Sequence, residues 1–282
     1  MSVLKISNHI LTGKHGRSFL ADFTFDEKQS SQPIVLFIHG FKGFKDWGAQ
    51  PQIADYFASR GVAFARFNFA FNGTTVNRPD AFADHEAFGH NNFSKELDDT
   101  EVVINWLLER ANGYPGVLDA QRVYLIGHSR GGGTAILKAA EDKRIKKVVT
   151  WASVSEFGKF WKQDQMETIM REGVIYIQNT RTGESLPLYR QLYDDYQQHR
   201  ERLFIPDRVA SLTCPLLVIH GTADHSVPDA SARELCRYQP AAGLRLIEGA
   251  DHTFGARHPH TGELPSDLRI VCEETLDFFR KN

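Results

Sequence analysis

The chain has 282 residues, 41% hydrophobic and 24% charged, enough to bury one large core with a small inserted element. Its 33 Lys and Arg face 35 Asp and Glu, a formal net charge of −2, so no basic field draws in nucleic acid or an anionic membrane surface. No apolar run approaches the roughly 18 residues of a membrane span, and the opening MSVLKISNHILTGKHG lacks the apolar core of a secretory signal. Cys214, Cys236 and Cys272 are odd in number, widely spaced and without metal-ligand spacing, which reads as free thiols in a cytoplasmic protein.

Two apolar-rich stretches, Leu4–Leu11 and Ser18–Phe25, are parted by Gly13 and Gly16, a pattern that predicts an antiparallel pair of entry strands. From Pro33 onward short buried strands alternate with helical patterns, which implies βαβ units and a mostly parallel sheet flanked by helices. The strands are IVLFIHG (34–40), VAFARFNF (62–69), RVYLIG (122–127), KKVVTWA (146–152), PLLVIHG (215–221) and LRLIEG (244–249). Helices are expected near 49–60, 94–112, 130–142, 229–237 and 266–280. Residues 71–93 read equally as a pocket wall or as a solvated connection.

The rhythm breaks between Ser153 and Asp207, a stretch rich in aromatics such as Phe157, Phe160, Trp161 and Tyr196. Within it GVIYIQNTRTGESLPLY predicts a hairpin with helical flanks. The expectation is a core of 1–152 and 208–282, with 153–207 as a cap inserted over the carboxyl edge of the sheet. Arg171, Arg181 and Arg190 in this segment are candidates to bind a substrate carboxylate.

The chemistry-bearing residues lie at the ends of predicted strands, where open α/β sheets place their ligands. Gly127-His128-Ser129-Arg130-Gly131 follows the strand VYLI and opens a helix, the context of a nucleophile elbow. There a serine is thrust above the sheet by strained backbone, and glycines leave room where strand and helix nearly touch. His39-Gly40-Phe41 ends the first buried strand. Two backbone N–H groups are needed to hold an oxyanion, and Phe41 and Arg130 are the expected donors. Asp224, after PLLVIHG, is the candidate acid, with Asp251 as its rival; His252, after LRLIE, is the candidate base. The chain order Ser129, Asp224, His252 is that of a Ser-His-Asp triad on this kind of sheet. Clusters such as His85-Glu86 with His90, or His258 with His260, lack metal-site spacing and read as loop histidines.

The HGF loop, the GHSRGG elbow, the HGTADHSVP loop and the GADHTF loop resemble those of the α/β-hydrolase superfamily, over about 33–152 and 208–280. The similarity is nearest to its dienelactone-hydrolase-like, cinnamoyl-esterase-like and serine-aminopeptidase-like members. Dienelactone hydrolases use a cysteine nucleophile, whereas position 129 here is serine. The resemblance implies an α/β-hydrolase fold and cofactor-free, metal-free hydrolysis of a small or medium acyl or aryl ester. Two alternatives stand beside it. One is peptide or amide hydrolysis, for which Glu156, Asp164, Glu167 or Glu184 would receive a substrate amine. The other is a ligand-binding protein on the same fold with little turnover.

Overall fold

Runs of β-branched and aromatic residues bounded by Gly, Asn and Pro become the strands, and amphipathic stretches become the helices between them. The computed structural model describes residues 3–281, apart from the side chain of Phe160. In chain order the elements begin with β1 (Val3–Thr12), β2 (Ser18–Asp26), β3 (Gln32–Ile38), α1 (Gln50–Ala58), β4 (Ala63–Phe67), α2 (His85–Gly89) and α3 (Phe93–Asn112). They continue with β5 (Leu118–His128), α4 (Arg130–Glu141) and β6 (Ile145–Trp151). A 3-10 turn (Phe157–Phe160), α5 (Gln163–Glu172), β7 (Val174–Gln178), β8 (Ser185–Tyr189), α6 (Gln191–Gln198), α7 (Arg200–Leu203) and α8 (Ile205–Ala210) follow. The chain closes with β9 (Leu216–Gly221), α9 (Ala230–Tyr238), β10 (Gly243–Ile247) and α10 (Ser266–Arg280).

Eight strands form one sheet in the order β1-β2-β4-β3-β5-β6-β9-β10. β1 with β2 and β2 with β4 are antiparallel, and the pairings from β4 across to β10 are parallel. The pleat sends alternate residues to opposite faces. Ile34, Leu36 and Ile38 meet α3 and α4 through Leu97, Ile104 and Ile136, while Val35 and Phe37 meet α1 and α10 through Phe57 and Val271. Because both faces are covered, the central strands are apolar throughout rather than alternating.

Segment 71–93 is not a solvated connection. Phe82, Phe88 and Phe93 are buried, and Asn72 donates to the Gly43 carbonyl at 3.2 Å, backing the loop after β3. The antiparallel β7–β8 ribbon sits where the hairpin is expected, with α5 before it and α6 to α8 after it. The β6–β9 segment is tied to the core at α4: a Cβ on Gly133 would meet Ile205 at 2.6 Å and Phe157 at 2.8 Å. Its aromatics are used mainly for docking. Phe157 stacks on Phe93 at 4.0 Å, Tyr196 meets Phe93 edge-on at 6.0 Å, and Tyr189 donates to Glu86 at 2.6 Å. Among the described residues no helix is long and apolar enough to cross a membrane.

Candidate active site

β5 ends at His128, and the next residue, Ser129, has φ 56° and ψ −122°, a region that costs a non-glycine residue about 1–3 kcal/mol. The surroundings hold it there. A Cβ on Gly127 would lie 2.2 Å from the Gly131 carbonyl oxygen, and one on Gly40 would lie 2.8 Å from Ser129 Cβ. The elbow therefore admits only glycine at its closest approaches. The Ser129 N–H donates to the Trp151 carbonyl at 2.9 Å, which ties the turn to β6.

His252 stands in the turn after β10, and its Nε2 is 3.0 Å from Ser129 Oγ. Its Nδ1 is 2.7 Å from Asp224 Oδ2, and Asp224 lies in the loop after β9 with a fully buried side chain. With Nδ1–H donating to the carboxylate, Nε2 presents a lone pair to the serine hydroxyl. Asp224 Oδ1 accepts from the N–H groups of Ser226 and Val227 at 2.8 and 2.9 Å. Burial opposes ionisation of Asp224, yet hydrogen bonds from His220, His252 and Val227 outweigh it and hold the carboxyl far below its usual range. His220 Nε2 is shared between the Val227 carbonyl at 2.8 Å and Asp224 Oδ2 at 3.2 Å.

Asp251, the rival acid, is turned away. Its Oδ1 accepts from Thr253 and Gly255 N–H at 2.9 Å each, and Oδ2 pairs with Arg257 at 2.9 Å. Its carboxyl is held down at about 2: burial works against this, but Gly255 N–H and Arg257 prevail. His128 donates from Nε2 to the His252 carbonyl at 2.8 Å, so the residue before Ser129 fixes the loop that carries His252. Burial, then the neighbouring His252, lowers the His128 imidazole to about 3 and keeps it neutral. His39 is buried, bonded to its own loop at Gly40 O, and lowered by burial to about 4.

Arg130 is the first residue of α4, so its N–H has no acceptor within the helix and faces the site with the positive end of the helix dipole. Its guanidinium lies 4.8 Å from the Phe41 ring centroid and 5.4 Å from that of Phe93, and it is paired with the buried Glu96. The residues carrying the two expected oxyanion donors are thus in contact through their side chains. Nothing in the sequence signals Glu96; only the packing of α3 against α4 brings it there.

Two hollows meet at Ser129. One, of about 220 Å³, lies between the Gly40–Phe44 loop, Trp47 and the hairpin tip Asn179-Thr180-Arg181. The other, of about 640 Å³, is larger and is lined by Arg130, Phe157, Lys159, Lys162 and Glu234 among others. Of the acids named for an amine, Glu156 alone lines it, beside those two lysines. A groove of about 730 Å³ near Lys5, Arg60 and Arg269 contains none of Ser129, Asp224 and His252. Among the described residues no group of three or more His, Cys, Asp or Glu is arranged to hold a metal ion.

Est1E of Butyrivibrio proteoclasticus, in a structure with ferulic acid bound, has the same fold: TM-score 0.73, 20% identity, 96% of this chain and 97% of that one covered. A dienelactone hydrolase from Anabaena variabilis ATCC 29413 matches with TM-score 0.64 and 16% identity, over 99% and 98% of the two chains. In sequence the chain is 21% identical over 270 residues to isoprenylcysteine alpha-carbonyl methylesterase ICME of Arabidopsis thaliana, covering 88% of this chain and 57% of that protein. The chain spans about half the length of the curated relatives it matches, 45% to 62% for three of them. Residues 35–262 match the model of the alpha/beta hydrolase family, and the chain belongs to that family.

Proposed function

We propose that the chain is a serine hydrolase that cleaves carboxylic esters through an acyl-enzyme on Ser129. The observation that carries this reading is the relay from Ser129 Oγ to His252 Nε2 at 3.0 Å and from His252 Nδ1 to Asp224 at 2.7 Å. His252 takes the serine proton as Oγ attacks the ester carbonyl, then returns it to the departing alkoxide; water repeats the sequence on the acyl-enzyme. Asp224 fixes the imidazole tautomer and stabilises the imidazolium. The N–H groups of Phe41 and Arg130 receive the oxyanion, a contribution of about 2.7–4 kcal/mol per donor in other hydrolases.

Segment 153–207 acts in this reading as a cap, since its hairpin tip roofs the smaller hollow and Phe157 lines the larger. An ester substrate suits the site better than an amide, because the acids of the larger hollow, Glu156 and Glu234, share it with Arg130, Lys159 and Lys162, and Glu234 is paired with Lys159.

The test is labelling with a fluorophosphonate, read by mass spectrometry, on wild type and Ser129→Ala, followed by turnover of a panel of aryl and alkyl esters. Labelling confined to Ser129, with turnover lost in Ser129→Ala, is expected. Folded wild-type protein that neither labels nor turns over any ester would overturn the reading in favour of a ligand-binding role.

A further inference from the structure

Of the three arginines that the sequence offers for a carboxylate, two are spoken for: Arg171 pairs with Glu172 at 2.9 Å and Arg190 with Asp194 at 3.2 Å. Arg181 differs. It lines the 220 Å³ hollow beside Ser129, its guanidinium 5.9 Å from the ring centroid of the buried Phe44. Lys42 lines the same hollow, half-buried, its pKa lowered by burial and its ammonium bonded to the Gln178 carbonyl at 3.2 Å. Among the described residues neither cation has a carboxylate partner, and no Asp or Glu lines the hollow.

A third donor lies between them. Asn179 is only 5% exposed and its Oδ1 accepts from the Arg181 N–H at 3.3 Å, but among the described residues its Nδ2 has no acceptor. A buried donor left unpaired is costly, and a partly desolvated cation without a counter-charge adds to that cost. The rest of the wall mixes apolar Phe37, Phe41, Phe44 and Trp47 with polar Gln50, Thr180 and Thr253. A short apolar or aromatic body ending in an acceptor-only anion satisfies Arg181, Lys42 and Asn179 Nδ2 together. The hollow is smaller than the roughly 300–1,000 Å³ of a drug-sized site, which limits that body to about one ring.

We propose that this hollow seats a carboxylate of the substrate, so that the preferred esters are anionic, with the charge on one half of the molecule held by Arg181, Lys42 and Asn179 Nδ2. This rests on the reading of Ser129 as the nucleophile. Nothing in the reaction changes: the carboxylate is a handle, and the bond cleaved is the ester at the other end of the body.

The test compares kcat/KM for matched esters with and without the charge. One pair carries it on the acyl half, 4-nitrophenyl hydrogen terephthalate against 4-nitrophenyl benzoate; the other carries it on the leaving half, 4-carboxyphenyl acetate against phenyl acetate. Wild type is expected to favour the charged member of one pair at least tenfold, with a preference that shrinks as ionic strength rises. Arg181→Gln is expected to reduce that ratio at least tenfold and Arg181→Lys to restore part of it. Asn179→Asp keeps the acceptor for the Arg181 N–H while replacing the donor with an anion, and is expected to invert the preference. A charged-to-neutral ratio near one in wild type, or a ratio unmoved by both Arg181→Gln and Asn179→Asp, overturns the proposal. If neither pair shows Ser129-dependent turnover, the parent reading fails, and calorimetry of benzoate against neutral benzamide still decides this one. Benzoate binding that weakens at least tenfold in Arg181→Gln supports the anion seat, and equal binding of benzoate and benzamide overturns it.

Discussion

The carboxylate of Glu96, near the start of α3, grips the guanidinium of Arg130, the first residue of α4, in an ion pair whose side chains are 2% and 8% exposed. Asn91 Nδ2 also donates to Glu96 at 2.7 Å, so the acid is held from two sides. The pair presses the guanidinium onto the ring of Phe41, and a single salt bridge thereby braces the two segments that carry the proposed oxyanion donors, Phe41 and Arg130. Removing one partner of such a pair leaves the other charge buried and uncompensated, at about 3–5 kcal/mol. Glu96→Gln is expected to lower the unfolding free energy by about that amount. It should also cut kcat roughly tenfold with KM little changed, because the donors matter most when charge develops on the substrate oxygen. Steady-state kinetics and urea unfolding on the same preparation check both effects; an unaltered kcat in folded protein would reduce the pair to a structural role.

The two candidate acids separate cleanly by mutation. Asp224→Asn is expected to lower kcat by about 10⁴, since the amide stabilises the wrong imidazole tautomer and cannot balance the imidazolium. Asp251→Asn should cost less than about tenfold, because its carboxylate serves only the turn at Thr253 and Gly255 and the pair with Arg257. Equal losses in the two variants would contradict the assignment.

Stability should fall with acid well before carboxylates titrate in the unfolded chain. Burial holds His39 and His128 neutral down to about 4 and about 3, whereas in the unfolded chain they take protons near 6.5. Between those values the unfolded state binds more protons, so stability rises with pH and is lost as pH drops from 6.5. Each imidazole contributes a slope of up to about 1.4 kcal/mol per pH unit. Urea midpoints measured from pH 7.5 to pH 4.5 should show the decline, and His128→Gln should flatten it; an identical slope in the variant would contradict the account.

Asp99 acts in the opposite direction. Its carboxyl is buried, accepts from the Ala70 N–H at 2.8 Å, and is pushed up to about 8, chiefly by burial and further by Glu96 and Asp98. The unfolded chain loses this proton near 3.8 while the folded protein keeps it, so stability falls as pH rises between the two values. Asp99→Asn, which keeps an acceptor for Ala70, should be more stable than wild type by more than about 1 kcal/mol at pH 8, with the gap closing toward pH 5. Thermal unfolding across that range is the measurement.

Much of this arrangement was legible in the chain because it is local. GHSRG after an apolar strand fixes the strand-turn-helix geometry at Ser129, and the loops with Asp224 and His252 follow strands whose apolar runs announce them. Parallel pairing then brings those strand ends together without further information. Segment 71–93 resisted, because Asn, Gly and Pro suggest exposure while four phenylalanines suggest burial; the outcome depended on Phe88 finding Phe41 and Phe82 finding Phe44. Glu96 and Asn179 also gave no local sign. One reads as an ordinary acid in a helix and the other as a turn residue, and each gains its place only through contact with chain more than thirty residues away.

The β6–β9 segment leaves and re-enters the core at one point, Phe157 and Ile205 closing on either side of Gly133. Such a closed excursion obeys the statistics of a loop with fixed ends, in which doubling the enclosed length costs only about 0.6 kcal/mol. The sheet and α4 therefore feel little of the length of chain enclosed between those ends, and the contacts Tyr189–Glu86 and Tyr196–Phe93 are what fasten the excursion elsewhere. A change of length around Asn179 and Arg181 would thus reshape the wall of the smaller hollow while leaving the strands beneath their packing.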